Sequence, residues 1–294
     1  GQAHHSLDKA YNIAGLKEAV IRTIPMDDSF RMQPEALARQ IETDKRDGLR
    51  PFLLVASAGT TDTGAIDPMQ PLADIAKQHR LWFHVDAAYG GAFLLTEYGK
   101  NLMAGIERAD SVIIDPHKGF FLPYGTGALL VRDKKKLYES QHMTAGYMQD
   151  TLKADELYSP ADLSPELSRH FRGLRMWLPL KLYGIGPFRS ALEEKRLLTE
   201  YFYRQIQQID GIETGPKPEL SVTIFRYCPD RGDADDFNRK LAECIHKDGR
   251  IFLSSTTIEG TVWLRMAIVG LRTHLKEVEE AIGIIREKIE DVET

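Results

Sequence analysis

Residues 81–91 read LWFHVDAAYGG, an apolar strand that runs directly into an acid and a turn of small residues. Asp86 therefore stands at the carboxyl edge of the predicted sheet, where α/β proteins bind ligands. An Asp at such a point also commonly caps the next helix, and the residue alone favours neither interpretation. The small residues among positions 87–91 favour the ligand site, because they leave room for a flat molecule above the chain.

Short apolar runs alternate with helical patterns on both sides of this strand, between about residues 10 and 131. Such alternation is typical of an α/β fold with a mainly parallel sheet. The predicted strands are 19–24, 52–56, 81–85, 111–114 and 127–131. The predicted helices include 33–43, with Pro34 suited to its first turn, and 71–79. Polar side chains gather where the strands end.

Length and composition narrow the possible classes of protein. The 294 residues are 43% hydrophobic and 28% charged, as in ordinary globular proteins. A net charge of −5 gives no electrostatic reason to expect nucleic acid or an anionic membrane as a partner. Cys228 and Cys244 are too few for a disulfide framework and fit a reducing compartment. With no bilayer-spanning run and no signal peptide, we expect a cytoplasmic protein.

A second motif, IIDPHKG at residues 113–119, places Lys118 shortly after another buried strand. Most lysines lie on the surface, and that is the ordinary interpretation of this one. A lysine that forms Schiff bases must instead lose its proton, which requires a low-dielectric or electropositive setting. The apolar strand before Lys118 and Phe120-Phe121 after it predict a low-dielectric setting.

A third motif, SAGTTDTG at residues 57–64, again follows a buried strand. Its hydroxyl groups suit hydrogen bonds to a polar ligand, although a simple turn explains them equally well. Three such motifs on one sheet edge together indicate a ligand site. A metal site built from His84, Asp86 and His117 is the alternative, but no HxH or HExxH motif is present and His84 is more typical of a core histidine. No metal is predicted.

The rest of the chain predicts a long loop and a second, smaller domain. Residues 140–165 lack periodicity, and a stretch of this length is usually a functional lid or a disordered segment. Helices are predicted at about 165–183 and 187–208. In the tail, strands are predicted at 220–225, 250–253 and 262–268, and helices at 234–246 and 275–289. We therefore predict a large domain over residues 1–209, with a mobile loop at about 140–165, and a small α+β C-terminal domain over residues 210–294.

HVDAAYGG at residues 84–91, followed by DPHK at 115–118, resembles the group II decarboxylases that depend on pyridoxal phosphate (PLP). This family includes the aromatic-L-amino-acid, histidine and glutamate decarboxylases, and the sequence is most similar to the aromatic-amino-acid branch. The resemblance covers nearly the whole chain. It implies a fold-type I PLP-dependent transferase architecture, similar to aspartate aminotransferase.

The resemblance also implies roles for single residues. Lys118 resembles the lysine that holds the cofactor as a Schiff base, and Asp86 resembles the carboxylate that keeps the pyridine nitrogen protonated. Ala88 and His4 resemble the residues on the two faces of the ring. The implied cofactor-binding residues are Lys118, Asp86, Ala88, His4, Thr61 (near the phenolic oxygen) and His117 (beside the phosphate). The implied catalytic residues are Lys118, His4 and Tyr147.

Tyr147 aligns with a mobile-loop tyrosine that returns a proton to the substrate. In related aldehyde synthases a phenylalanine at this position accompanies an oxidative outcome, so tyrosine favours simple decarboxylation. The resemblance thus implies a carboxy-lyase that converts an aromatic L-amino acid to the amine and CO2. The alternatives are another PLP-dependent reaction, namely aldehyde synthesis or transamination, and a non-catalytic remnant of the same fold.

The sequence departs from the family at three points. Gly119 follows the lysine where close members commonly carry Trp, and Asp115 stands where many have Asn. Family members also have a substantial region before the His4 motif, with a phosphate-binding loop and much of the substrate pocket. We therefore expect a missing N-terminal segment or a separate chain that supplies it. The family further implies a homodimer with its active site near the subunit interface.

Overall fold

The computed structural model describes residues 2–142 and 159–293 as two sheets, each with its own helices. The first part contains α1 (Ser6–Ile13), α2 (Pro34–Arg46), β1 (Leu53–Ser57), α3 (Met69–His79), β2 (Trp82–Asp86), α4 (Glu97–Leu102), β3 (Ser111–Ile114), β4 (Ala128–Val131) and α5 (Lys134–Gln141). The second part contains α6 (Gly173–Tyr183), α7 (Gly186–Ile206), β5 (Ile212–Thr214), β6 (Val222–Tyr227), α8 (Ala234–Asp248), β7 (Ser254–Ile258), β8 (Thr261–Ala267) and α9 (Leu275–Glu293). Short 3₁₀ turns cover Gly90–Leu95, Ile106–Arg108 and Pro160–Leu163.

The first sheet has the order β1-β2-β3-β4, with the first three strands parallel and β4 antiparallel to β3. Helix α3 connects β1 to β2 as the crossover that parallel strands require. The strand predictions for 52–56, 81–85, 111–114 and 127–131 are confirmed to within one residue at either end. The carboxyl ends of β1, β2 and β3 consequently meet at one edge of the sheet.

Two sequence-based expectations for this part need correction. Residues 19–24 form no strand, because Leu16–Val20 is a series of turns and the chain reaches Pro25 without a pairing partner. Strand β4 is apolar but not buried, since it ends the sheet and leaves Leu129 and Leu130 exposed. An apolar run therefore indicated the strand without indicating what covers it.

The second sheet is antiparallel throughout, with the order β5-β6-β8-β7. The sequence predicted β6, β8, α8 and α9 correctly. It missed the three-residue β5 and placed β7 at 250–253, whereas the strand is Ser254–Ile258. The SSTTI sequence of β7 carries hydroxyl side chains that are typical of turns as well as of strands.

Each sheet packs on its own hydrophobic core. The first core includes Phe83 and Val85 from β2 with Leu72 from α3, and all three are almost completely buried. The second includes Phe225 and Leu264. Helix α7 joins the two, because Leu192 packs in the first core whereas Leu198, Phe202 and Ile206 pack in the second. The long helix thereby fixes how the antiparallel sheet faces the edge of the parallel one.

Within residues 2–142 and 159–293, no helix combines the length and the apolar character that crossing a bilayer would demand.

Candidate active site

Backbone hydrogen bonds hold the three strand-end motifs together at the carboxyl edge of the first sheet. The N–H of Ala58 donates to the carbonyl of Asp86 (2.8 Å), and the N–H of Asp115 donates to the carbonyl of Ala88 (3.1 Å). The N–H of Gly90 donates to the carbonyl oxygen of Ala58 (3.1 Å). The parallel register thus brings residues from positions 57 to 118 into one edge, as the sequence predicted.

Lys118 opens onto a cavity of about 330 Å³ at this edge. Its Nζ lies 3.0 Å from Oδ2 of Asp115, and 43% of the side chain is exposed. The low-dielectric setting expected from Phe120-Phe121 is not what the described residues show, because Phe120 packs into the core and, although Phe121 lines the cavity, the Lys118 side chain stays 43% exposed. The exposure leaves the amine accessible to a ligand.

The cavity extends between the two sheets. From the parallel-sheet side it is lined by Thr61, Tyr89, Phe93, His117, Lys118, Gly119 and Phe121. From α7 and the antiparallel-sheet side it is lined by Leu192, Lys195, Ser221, Val222, Arg265, Ala267, Ile268 and Val269. Three of the predicted site residues, Thr61, His117 and Lys118, thus share one cavity.

Asp86 occupies the last position of β2, one strand away from the Lys118 motif. It is half-buried, and its Oδ1 accepts a hydrogen bond from the N–H of Ala88 at 3.1 Å. Neither Asp86 nor Ala88 is among the lining residues of the cavity. No lysine, arginine or histidine of the described residues lies within ion-pair distance of Asp86, so its carboxylate is available to a cationic ligand group.

Gly119 is required by close packing behind the lysine. A Cβ at this position would lie 2.5 Å from the Cβ of Ala92, in the 3₁₀ turn that follows the Asp86 motif. The absence of a side chain therefore lets the Lys118 segment approach the Asp86 segment. A side chain as large as Trp would not fit at this position without a shift of the backbone.

The imidazole of His117 has a defined orientation. Its Nδ1 lies 2.5 Å from the carbonyl oxygen of Thr126 and must donate to it, since a carbonyl only accepts. The ring also packs edge-on against Tyr124, with 5.0 Å between centroids. The Nε2 atom, 3.9 Å from Oδ2 of Asp115, remains available on the other side of the ring.

The N-terminal stretch that contains His4 lies against the loop that contains Thr61. Oε1 of Gln2 accepts hydrogen bonds from the hydroxyls of Thr60 (3.1 Å) and Thr63 (3.0 Å). His4 itself bonds to Ser6 Oγ through Nδ1 (2.7 Å) and does not line the cavity. Of the remaining predicted site residues, Tyr147 falls outside the described part of the chain.

His84 behaves as a residue of the sheet interior. Its Nδ1 lies 2.8 Å from Ser111 Oγ on β3, and burial lowers the pKa of its imidazole. Across residues 2–142 and 159–293, no group of three or more acids, histidines and cysteines is placed to hold a metal ion.

Nothing in the sequence analysis indicated which residues close the cavity from the antiparallel-sheet side. Arg265, Ser221 and Lys195 come from parts of the chain more than 70 residues after Lys118. The signal for Arg265 was its charge within the otherwise apolar strand TVWLRMA, whereas Lys195 stands in the charged run EEKR of α7 and Ser221 just before β6. Such a residue is usually explained by a surface position.

The family comparison matches residues 1–228 to the model described as the pyridoxal-dependent decarboxylase conserved domain. The chain belongs to the pyridoxal-dependent decarboxylase family. An aromatic-L-amino-acid decarboxylase from Bacillus atrophaeus is 33% identical over 296 residues, 99% of this chain and 62% of that protein. A phenylacetaldehyde synthase from Arabidopsis thaliana is 31% identical over 293 residues, 98% of this chain and 60% of that protein.

Solved structures agree with this membership of the pyridoxal-dependent decarboxylase family. The crystal structure of Oryza sativa TDC with PLP and tryptamine superposes with a TM-score of 0.92 at 28% identity, over 100% of this chain and 62% of that one. The predicted family and the fold-type I architecture are confirmed. The chain spans about three fifths of the length of these relatives.

The residues at the sheet edge of this member of the pyridoxal-dependent decarboxylase family fit PLP. The Lys118 amine can bond to the cofactor aldehyde, and it faces a cavity. The Asp86 carboxylate, without a cationic partner among the described residues, can hold a protonated ring nitrogen. The small side chain of Ala88 beside it leaves room for a flat ring.

Proposed function

We propose that the protein is a carboxy-lyase that uses PLP to convert an aromatic L-amino acid to the corresponding amine and CO2. The observation that carries the proposal is the exposed Lys118 amine, open to a cavity at the strand edge that Asp86 shares. The decarboxylase relative supports the reaction, and its name supports an aromatic substrate.

Bound PLP supplies an electron sink for the negative charge that remains on Cα when CO2 leaves. Lys118 holds the cofactor covalently, and this requires the neutral amine, so its ion pair with Asp115 must first be given up. Asp86 keeps a proton on the pyridine nitrogen, because a carboxylate beside a base raises the pKa of that base. His117 is oriented by Thr126 to hold a polar group of the cofactor through Nε2.

Two further residues complete the proposed reaction. His4, in the segment that Gln2 ties to the threonine loop, would pack against the bound cofactor, as the family resemblance implies. Tyr147, which lies outside the described residues, would return a proton to Cα, as the family resemblance implies.

Borohydride trapping tests the cofactor assignment directly. The protein is loaded with PLP, reduced with borohydride and digested, and the peptides are analysed by mass spectrometry. A reduced adduct on Lys118 is expected. Reduction of the loaded protein that leaves Lys118 unmodified would overturn the proposal.

A product screen separates decarboxylation from aldehyde synthesis, which the phenylacetaldehyde synthase relative makes the second candidate. Amines, aldehydes and ammonia are measured with each aromatic amino acid. The proposed function predicts amine as the main product, and Tyr147→Phe is expected to increase aldehyde and ammonia. If the unchanged protein already yields mainly aldehyde, the second candidate is correct.

We also propose that the protein is a cytoplasmic homodimer with a large domain over residues 1–209 and a small domain over residues 210–294. The two hydrophobic cores support a division into two domains, although the second core already includes Leu198, Phe202 and Ile206 of α7, and the two free cysteines support a reducing compartment. The exposed apolar side chains of α6, Trp177, Leu182 and Tyr183, support a subunit contact. Sedimentation should detect a dimer that Trp177→Glu weakens, and a monomer at every concentration would contradict it.

A further inference from the structure

Arg265 connects the antiparallel sheet to the loop that carries Thr61. It lies on β8, and its Nε donates to the carbonyl oxygen of Asp62 at 2.8 Å, while Nη2 donates to the carbonyl oxygen of Thr61. Its Nη1 donates to Ser254 Oγ on β7 at 2.7 Å. A planar guanidinium held at three points has a fixed orientation, so the two carbonyls are held in place with it.

The charge of Arg265 is not used in an ion pair within the described residues, since no acid there lies within ion-pair distance of it. Burial lowers the pKa of this guanidinium, with Asp62 acting in the opposite direction. A partly buried cation needs compensating partners, and here backbone carbonyls of another part of the fold supply them. The hydrogen bonds of this partly buried guanidinium therefore hold the loop that contains Thr61 and Asp62.

Tyr89 makes a second connection between the same two parts. Its hydroxyl accepts a hydrogen bond from the N–H of Ser221 (2.9 Å) and lies 2.5 Å from Ser221 Oγ. Burial raises the pKa of Tyr89 to about 12, so the hydroxyl stays protonated at neutral pH. Its ring also packs against Gly59, where φ is +95° and a Cβ would lie 2.7 Å from Tyr89 Cδ1.

We propose that Arg265 is a positioning residue that clamps the loop of residues 59–65 to the antiparallel sheet and thereby fixes Thr61 at the cofactor site. Tyr89 holds the neighbouring segment in the same way. The role of the clamp in cofactor geometry rests on the proposed function. The mechanical role of the clamp does not, because it concerns only contacts within the chain.

Amide hydrogen exchange tests the mechanical role. The amides of Gly59, Thr60 and Gly64 are hydrogen-bonded within the loop and are protected while the loop is held. Arg265→Gln removes the charged fork, and exchange at these amides should become about tenfold faster, the equivalent of about 1.4 kcal/mol. The matched control is Arg226→Gln, on β6 of the same sheet, because Arg226 pairs with Glu213 and Asp235 and does not touch the loop.

The cofactor role is read from the visible circular dichroism of bound PLP and from its dissociation constant. Arg265→Gln should change the dichroic band and weaken PLP binding about tenfold, whereas Arg226→Gln should leave both unchanged. If Arg265 had only a structural role, Arg265→Gln would lower the stability of the protein, as Arg226→Gln would, and would leave the dichroic band of PLP unchanged.

Each outcome decides a separate point. Loop exchange that is equal in Arg265→Gln and Arg226→Gln overturns the clamp, whatever the cofactor does. Faster loop exchange with an unchanged dichroic band overturns its cofactor role. Failure of the unchanged protein to bind PLP overturns the proposed function alone. If Arg265→Gln does not fold, Arg265→Lys is measured instead. Its single ammonium cannot donate to both carbonyls, so the same amides should exchange faster than in the unchanged protein, by less than the tenfold expected for Arg265→Gln.

Discussion

Two lysines line the same cavity, and their surroundings differ in almost every respect. Lys118 follows β3, leaves 43% of its side chain exposed and has Asp115 as its ion-pair partner at 3.0 Å. Lys195 lies on α7 with only 1% of its side chain exposed. Its Nζ bonds to Glu194 (2.8 Å) and to the carbonyl oxygens of Leu271 (3.2 Å) and Thr273 (2.5 Å).

Under the proposed function the reactive amine is the less buried of the two, so burial alone would select the other lysine. All three protons of the Lys195 ammonium have acceptors, so the residue fixes the chain after β8 to α7 and has none left for a ligand. Lys118 has one ion-pair partner and open space beside it. A lysine can exchange its partner for a cofactor only where its existing contacts are few.

Replacement of Lys118 should have the largest effect. Lys118→Ala is expected to abolish the borohydride-trapped adduct and to lower amine formation more than about 10³-fold, as removal of a covalent catalytic group does. Mass spectrometry and product assay measure the two. Lys195→Met is the matched control and should still give the adduct. If borohydride trapping of the unchanged protein gave the adduct on Lys195, then Lys195 and not Lys118 would be the reactive amine.

Asp86→Asn should have the next largest effect. The amide is close to the carboxylate in size but cannot hold a proton on the pyridine nitrogen, so turnover should fall about a hundredfold, equivalent to about 2.7 kcal/mol. Borohydride trapping at Lys118 should persist, which would show that Asp86 affects the protonation of the pyridine nitrogen and not the covalent attachment of PLP. Turnover within threefold of the unchanged protein would show that Asp86 only caps its turn through Ala88.

Lys195→Met should affect folding more than chemistry. Two carbonyl oxygens lose a charged donor, and the free energy of unfolding should fall by about 2 kcal/mol. Urea titration measures this against Lys118→Met, which changes an exposed side chain and should cost less than about 0.5 kcal/mol. Equal losses in the two variants would remove the structural distinction between the lysines.

Asp115→Asn should have the smallest effect. Its ion pair with Lys118 is partly solvated and worth about 0.5 kcal/mol or less. Stability should stay nearly constant, and PLP should attach slightly faster because the amine is freed. Stopped-flow absorbance measures the attachment rate. A tenfold slower attachment would show that the carboxylate assists the bond instead of competing with it.

The sequence predicted the parallel sheet, helices α2, α3, α7, α8 and α9 and the gathering of three motifs at one edge, but placed the start of α6 at about 165, whereas the helix begins at Gly173. These predictions succeed because apolar runs and turn residues are local signals, and parallel pairing then aligns the strand ends. Errors occurred where local signals were weak. Strand β5 has three residues, the hydroxyl-rich β7 resembles a turn, and the exposure of Lys118 depends on which residues pack around it in the folded chain.

The sequence by itself determined the family and its chemistry, because HVDAAYGG and DPHK state which acid and which amine follow which strand. Only the tertiary structure decided what surrounds them. Arg265 reaches the Thr61 loop across about 200 positions, and Tyr89 reaches Ser221 across 132. These contacts leave no pattern in the sequence, because their acceptors and donors are largely backbone groups, which every residue carries.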